Sequence, residues 1–227
     1  MFKRLFSILV SISFLIVLLL TSVQVAVYSD RGFFEKEYEK YQVLDDVHMT
    51  MDDLMQVTDK LLGYMIGDKD DLVIETTISG QTREFFNERE KMHMVDVRDL
   101  FIKGYWMRNI LAIFVLIGVV ILRRQIVKIF LATTGITVII SVILGLIISR
   151  DFYSAFILFH KILFTQNDFW LLNPETDLLI NIVPEGFFMD MALRIGLIFG
   201  VSLLVLIGLG LCILILERKK AINESKN

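Results

Sequence analysis

The chain is poor in the residues and motifs on which most enzyme families rely. Its single cysteine, Cys212, excludes an intramolecular disulfide and any site built on paired cysteines. Because Cys212 lies inside an apolar run, we interpret it as a packing residue. The sequence has no GxSxG, Walker, HExxH or GxGxxG motif and no basic run typical of nucleic acid binding. These absences argue against nucleotide-dependent enzymes, zinc proteases and nucleic acid partners.

Apolar residues, in contrast, are abundant and come in blocks. Of the 227 residues, 55% are hydrophobic, and the mean hydropathy is +0.64. About 20 apolar residues in a helix cross the hydrocarbon core of a bilayer. This criterion predicts four transmembrane helices, at residues 5–27, 107–122, 126–149 and 195–216.

The first apolar run has a competing interpretation as a cleaved signal peptide, because Lys3 and Arg4 precede it. The run is longer than a typical signal-peptide core of about 7–15 residues, and no clear small-residue cleavage site follows it. We therefore favour a retained membrane anchor.

The clusters of basic residues that flank the four predicted spans lie on one side. Four crossings bring Lys3-Arg4, Arg123-Arg124-Lys128 and Arg218-Lys219-Lys220 to the same face of the membrane. By the positive-inside rule this face is cytoplasmic, which places both termini there and residues 28–106 and 151–194 outside. The expected fold is a membrane all-α bundle of four transmembrane helices with an extracytoplasmic α+β cap, in a bacterial plasma membrane.

Local signals predict the elements of these two outer segments. Helical spacing and Thr50 predict a helix over 50–66, and two β-leaning runs around Ser79-Gly80 predict a hairpin over 72–86. Asn87 with Glu90 three residues later fits a capping box at a helix start. The stretch 151–164 is amphipathic and aromatic, which favours a helix at the membrane surface. Turn signals stand at Asn173-Pro174 and Pro184-Glu185-Gly186.

The candidate catalytic residues are the three histidines, because imidazole transfers protons near neutral pH. His48 lies in an acidic stretch, where it is most simply a solvated residue. His93 is either a catalytic residue or a locally bonded, partly buried one. Asp96, at i+3 of the same helix, favours the former because a carboxylate can fix an imidazole tautomer. His160 is either catalytic or an interfacial histidine on an aromatic helix.

Aromatic residues concentrate around the predicted outer segments. They form either an ordinary interfacial belt or the wall of a lipid-shaped pocket. Within the second interpretation, Trp106, Phe159 and Trp170 contact substrate, and Arg98 steadies a polar substrate group. The full set comprises Phe85, Phe86, Phe101, Trp106, Phe156, Phe159, Phe164, Phe169, Trp170, Phe187 and Phe188.

Two sequence blocks resemble a known family. HMVDVR at 93–98, preceded by FFNERE, and FHKILFTQNDFWLLNPETDLLINIVPEGFF at 159–188 are similar to the four-span membrane proteins that include the lipoprotein intramolecular transacylases of Gram-positive bacteria. The order of spans and the loop lengths agree with that family over nearly the whole chain.

The resemblance implies four helices with an extracellular cap and an acyl transfer within a diacylglyceryl-modified lipoprotein. In that reaction the acyl chain leaves the glyceryl sn-2 oxygen and joins the α-amino group of the N-terminal cysteine, giving the lyso form. The two functional histidines of the family correspond to His93 and His160. The implied partners are diacylglyceryl lipoproteins and membrane lipid.

Two alternatives come from other functional classes. A non-catalytic scaffold or accessory subunit is one, although a transporter would carry more ionisable residues in its spans. A metal-dependent hydrolase using His93, His160 and Asp96 is the other. Because the transfer stays within one molecule and cofactor motifs are missing, we expect no metal, nucleotide or redox cofactor.

Overall fold

The computed structural model describes residues 2–122 and 126–224. Nine helices and one two-stranded sheet occur in these residues, so the protein is mostly helical, as predicted. The helices are α1 Phe2–Tyr28, α2 Gly32–Lys40, α3 Val43–Val47, α4 Met51–Met65, α5 Glu88–Leu122, α6 Ile126–Arg150, α7 Phe152–Leu163, α8 Leu178–Ile182 and α9 Glu185–Glu224. The strands are β1 Glu75–Ile78 and β2 Gln81–Glu84. Four of the described helices, α1, α5, α6 and α9, are long and apolar enough to cross a membrane.

The chain divides into two compact units. The span unit holds residues 1–24, 106–150 and 194–227, and the inter-span unit holds residues 25–105 and 151–193. Helices α5 and α9 each begin in the inter-span unit and continue without interruption into the span unit. The predicted tight connection at Arg123-Arg124 lies outside the described residues.

Two apolar clusters organise the span unit. Val10, Leu122 and Ile126 form one of them, and Leu15, Phe199 and Leu203 form the other. Gly118 lets α5 approach α1 closely, because a Cβ atom at this position would overlap the side chain of Val10. Buried hydroxyls in these helices bond to carbonyls of their own helix, as Ser11 does to Ser7 at 2.8 Å. These hydroxyls thereby have hydrogen-bond partners without water.

Two local predictions for the inter-span unit are confirmed. Helix α4 starts after Thr50, whose hydroxyl accepts a hydrogen bond from the Asp53 N–H at 3.2 Å. Strands β1 and β2 pair antiparallel, with Ile78 opposite Gln81. The two turn residues between them, Ser79 and Gly80, both have positive φ, of 52° and 77°. A turn of this kind follows the right-handed twist of the strands.

The predicted turn at Pro184-Glu185-Gly186 is partly wrong. The chain bends at Val183-Pro184, but α9 has already begun at Glu185. Proline is tolerated at a helix start, because the first N–H groups of a helix have no partner within it. The first turns of α9 belong to the inter-span unit, where the Tyr41 hydroxyl donates to Asp190 at 2.6 Å.

Candidate active site

His93 and His160 come together in the inter-span unit. His93 lies in the first turns of α5, ahead of the apolar run 107–122, and His160 lies near the end of α7. Their ring centroids are 6.1 Å apart, with the ring planes inclined by 40°. Each residue is only 7% exposed. The predicted convergence of the two imidazoles is therefore confirmed.

The tautomer of His160 follows from its backbone partner. Its Nδ1 atom lies 2.8 Å from the carbonyl oxygen of Phe156, one helical turn earlier. A carbonyl oxygen only accepts hydrogen bonds, so Nδ1 carries the hydrogen and Nε2 keeps its lone pair. In the neutral ring of His160, Nε2 is therefore the nitrogen that can accept a proton.

His93 has a different environment. Its Nδ1 atom is buried without a hydrogen-bond partner in the described part of the chain. Burial, and then the charge of His160, lower the pKa of His93 to about 4, while the charge of Asp96 opposes the shift. Burial also lowers the pKa of His160, against the effect of the Phe156 carbonyl. Both imidazoles are therefore neutral at neutral pH, which suits one proton acceptor and one donor.

Aromatic rings enclose the pair. Trp170 stacks on His160 at 5.2 Å and 29°, and Phe156 lies 4.1 Å from the same ring, centroid to centroid. Phe164 contacts both imidazoles, at 5.2 Å from His93 and 5.6 Å from His160. Phe159 meets the edge of His160 at 5.5 Å and is 53% exposed. This aromatic enclosure, defined as Phe156, Phe159, Phe164 and Trp170, contributes to the burial of the two imidazoles and presents apolar surface beside them.

Asp96 does not support His93 in the way its spacing predicts. No hydrogen bond joins the two side chains in the described residues; instead, Asp96 Oδ2 accepts one from the Asn167 amide at 2.9 Å. The i, i+3 spacing brings the carboxylate near His93, but the loop after α7 supplies a better-placed donor. Asp96 therefore acts on His93 through its charge and not by fixing the tautomer.

The other predicted site residues lie in separate surroundings. The guanidinium of Arg98 packs on the Tyr64 ring at 4.7 Å and donates to the Asp70 carbonyl at 3.3 Å. Arg98 is thus engaged by the end of α4 and the segment that follows it. Trp106 belongs to the span unit and is 66% exposed. His48 is exposed at the end of α3, as expected for a solvated residue.

A buried polar network at the start of α5 holds this helix to the segment before α9. Asn87 and Glu90 form the predicted capping box, with bonds of 2.7 and 3.0 Å. Glu90 is 1% exposed, and its second oxygen accepts from the Leu179 N–H at 2.5 Å, which caps α8. The Asn87 amide donates to Asp177 at 2.7 Å. The long-range half of this network was missed, because nothing local links Glu90 to residues 177–179.

These hydrogen bonds also affect the pKa values of the Glu90 and Asp177 carboxyl groups. Burial raises the pKa of Glu90, and the N–H groups of Leu179 and Asn87 oppose the rise. Burial also acts to raise the pKa of Asp177, but hydrogen bonds from the Asn173 N–H and the Asn87 amide more than offset it, so its pKa is lowered. His93 follows one turn after Glu90 on α5, so the network positions His93 within the inter-span unit.

The segment between α7 and α8 is fixed to α5 at further points. Arg89 donates to the Asp168 carbonyl at 2.6 Å, and Asn167 donates to Asp96. The same segment carries Trp170, which stacks on His160.

In residues 2–122 and 126–224, no group of three His, Cys, Asp or Glu side chains is arranged to hold a metal ion. The alternative of a hydrolase using His93, His160 and Asp96 as metal ligands therefore lacks its donor set.

Comparison with known proteins identifies the family. The sequence model of the lipoprotein intramolecular transacylase Lit family matches residues 8–188. The chain is 26% identical to the membrane-integral lipoprotein intramolecular transacylase Lit of Bacillus cereus, with a TM-score of 0.82 and coverage of 96% of this chain and 98% of that chain. A structure of the Bacillus cereus protein with one histidine changed to arginine has a TM-score of 0.78 at 25% identity, covering 96% of this chain and 95% of that chain.

No match was found among curated protein sequences. The family match covers well over half of the chain, and the solved relatives are membrane-integral, in agreement with the four apolar helices. This chain is therefore a multi-pass membrane protein that belongs to the lipoprotein intramolecular transacylase family of acyltransferases.

Proposed function

We propose that the protein moves the sn-2 acyl chain of a diacylglyceryl lipoprotein to the α-amino group of the same lipoprotein's N-terminal cysteine. The observation that carries this proposal is the pair of neutral, buried imidazoles 6.1 Å apart, one of which is held as a base through Nε2. Family membership supports the acyl transfer and the lipoprotein substrate. The product is the lyso form, with an N-acyl group and an S-monoacylglyceryl group.

The transfer is balanced without any other reactant. The neutral α-amine attacks the ester carbonyl carbon, a C–N bond forms, and the bond from that carbon to the glyceryl oxygen breaks. One amine proton leaves the nitrogen, and the glyceryl oxygen gains one. If the substrate enters as an ammonium ion, one further proton is released to solvent. The acyl group is already activated as an ester, so the reaction as written consumes no metal, nucleotide or redox cofactor.

The two histidines have different roles in the proton transfers. The sequence favours His93 as the base only slightly over the reverse assignment, on the expectation that Asp96 raises its basicity. The backbone bond of His160 supports the reverse: with Nδ1–H donated to Phe156, Nε2 is free to accept the amine proton, and the carbonyl stabilises the imidazolium that forms. His93, which is neutral, then donates a hydrogen bond to the oxyanion. The proton that His160 took from the amine is delivered to the departing glyceryl oxygen, directly or by way of His93, so that both rings end neutral.

Confinement is the second contribution to catalysis. The attack closes a ring through nitrogen, Cα, Cβ, sulfur, two glyceryl carbons, the ester oxygen and the acyl carbon. Such a medium ring is entropically unfavourable in a free chain, and a site that holds the folded conformer removes much of that barrier. Phe159 and Trp170, as parts of the aromatic enclosure, would hold the substrate in this form. Trp106 stays a predicted substrate contact, whereas the existing partners of Arg98 argue against a binding role for it.

The substrate is a membrane-anchored lipoprotein, so we place the site at the extracytoplasmic face of a bacterial plasma membrane, with both termini cytoplasmic. The basic residues flanking the spans support this orientation.

Mass spectrometry of lipoprotein N-terminal peptides tests the proposal. The peptides are compared between cells that contain the protein, cells that lack it and cells with the His160→Ala variant. We expect N-acyl, S-monoacylglyceryl peptides only with the active protein. Diacylglyceryl peptides with a free amine in all three strains would refute the activity and favour a non-catalytic role.

A further inference from the structure

Asp96 is an acidic residue beside the two histidines whose charge is not neutralised by a neighbour. One of its oxygens, Oδ2, accepts from the neutral amide of Asn167, and no ion pair involves Asp96 in the described residues. Two other acids of the same helix are paired, Glu88 with Lys91 at 3.0 Å and Asp99 with Lys103 at 3.2 Å. Both oxygens of the remaining acid, Glu90, accept backbone N–H groups. Asp96 thus leaves its negative charge available to a ligand.

The carboxylate of Asp96 lies close to the two histidines. Asp96 follows His93 by three residues, which puts both side chains on one face of α5. It is half-buried, so a charge that meets it is partly desolvated. Asn167, its hydrogen-bond partner, stands in the segment that carries Trp170, and Trp170 stacks on His160. The carboxylate therefore lies between α5, which carries His93, and the segment after α7, whose Trp170 stacks on His160.

We propose that Asp96 binds the protonated α-amino group of the substrate's N-terminal cysteine. The inference rests on the proposed function, in which this amine is the reacting nucleophile and is a cation in solution below its ordinary pKa of about 8. The Asn167 amide holds Oδ2, and Oδ1 is left to accept from the ammonium. Asp96 so selects lipoproteins with a free N-terminus and positions the nitrogen next to the histidines.

The test measures binding without turnover. Two non-reacting ligands are used, both with ether-linked chains in place of the acyl esters: a dialkylglyceryl-cysteinyl peptide with a free α-amine, and the same peptide with hydrogen in place of the amino group. The proteins are the wild type, Asp96→Asn and Asp99→Asn, each at pH 6. Asparagine at 96 keeps the size of the side chain and an oxygen that can accept from Asn167.

We expect the wild type to prefer the amine ligand by roughly tenfold, the range of a hydrogen bond to a charged group. The preference should disappear in Asp96→Asn and persist in Asp99→Asn, whose exposed carboxylate is paired with Lys103. It should also fall in the wild type at pH 9.5, where the amine is neutral.

The outcomes separate this inference from the function on which it rests. An unchanged preference in Asp96→Asn, or equal binding of both ligands by the wild type, would overturn the role of Asp96 and leave the transacylase proposal intact. If neither ligand binds the wild type, the substrate class is wrong and both proposals fall.

Discussion

The Nδ1 atom of His160 donates to the carbonyl oxygen of Phe156, 2.8 Å away and one turn earlier in α7. This single bond determines which nitrogen of His160 can take a proton. In the proposed mechanism it also lets the helix backbone stabilise the charged ring, in a site where no carboxylate bonds to either imidazole in the described residues.

Removal of either imidazole should abolish most of the activity. His93→Ala and His160→Ala each remove one of the two proton-transfer groups, and we expect the rate of lyso-form production to fall on the order of a hundredfold or more. The measurement is conversion of a purified diacylglyceryl lipopeptide by each variant in detergent.

His48→Ala is the matched control, since His48 is the third histidine and is exposed at the end of α3. It should convert substrate at the wild-type rate. Near-normal conversion by either His93→Ala or His160→Ala, in a protein that stays folded, would refute the two-histidine mechanism.

The stability of the protein should decrease in acid through His93. Its pKa is about 4 in the folded protein against 6.5 for an ordinary histidine, so the unfolded chain binds the proton more readily. The free energy of unfolding should therefore fall as the pH drops below about 6.5 and stop falling from this cause below about 4. Thermal unfolding from pH 7 to pH 4 should show a smaller decrease for His93→Phe than for the wild type. Parallel curves for the two proteins would contradict the assignment.

Glu90 should matter for stability more than any exposed acid of α5. Glu90→Leu leaves the buried N–H groups of Leu179 and Asn87 without acceptors, at about 1–3 kcal/mol for each group. We expect a clear decrease in Tm and, because the network positions His93, a lower rate. Glu88→Leu is the control, since the Glu88 side chain is 88% exposed. Equal Tm values for the two variants would show that the Glu90 network contributes little.

The orientation in the membrane can be tested with reporter fusions. Fusions after Leu122 and at the C-terminus should report a cytoplasmic location, and insertions near Ile66 and Asn173 should report an external one. The reason is the excess of Lys and Arg next to one set of span ends. An external C-terminus would rule out the proposed orientation of four spans.

Local features of the fold were predictable, because each depends on a few adjacent residues. Thr50 starts α4, Ser79-Gly80 closes the hairpin, and Asn87 with Glu90 caps α5. The four apolar helices were equally evident, since length and hydropathy alone define them. The wrong part of the prediction at Pro184-Glu185-Gly186 has the same origin, because proline and glycine indicate a break in the chain. The structure instead begins α9 at Glu185, and the Tyr41 hydroxyl bonds to Asp190 in its first turns.

The site was predictable only in part. The sequence has three histidines, so His93 and His160 could be found as catalytic candidates. The family resemblance then identified these two as the functional pair. Their partners could not be found, because the bonds from Asn167 to Asp96 and from Leu179 to Glu90 join residues far apart in the chain. The bond from His160 to Phe156 is local, but a helical histidine has other choices of partner, so sequence alone does not select it.

A crossover experiment with the purified protein tests the central claim most directly. Two diacylglyceryl lipopeptides are mixed, one with an isotopically heavy peptide and light acyl chains, the other with a light peptide and heavy acyl chains. Mass spectrometry then measures which acyl chain each N-terminus carries. Intramolecular transfer predicts heavy peptides with light N-acyl groups and light peptides with heavy N-acyl groups, and no exchanged products. Equal amounts of exchanged and unexchanged N-acyl peptides would contradict the account.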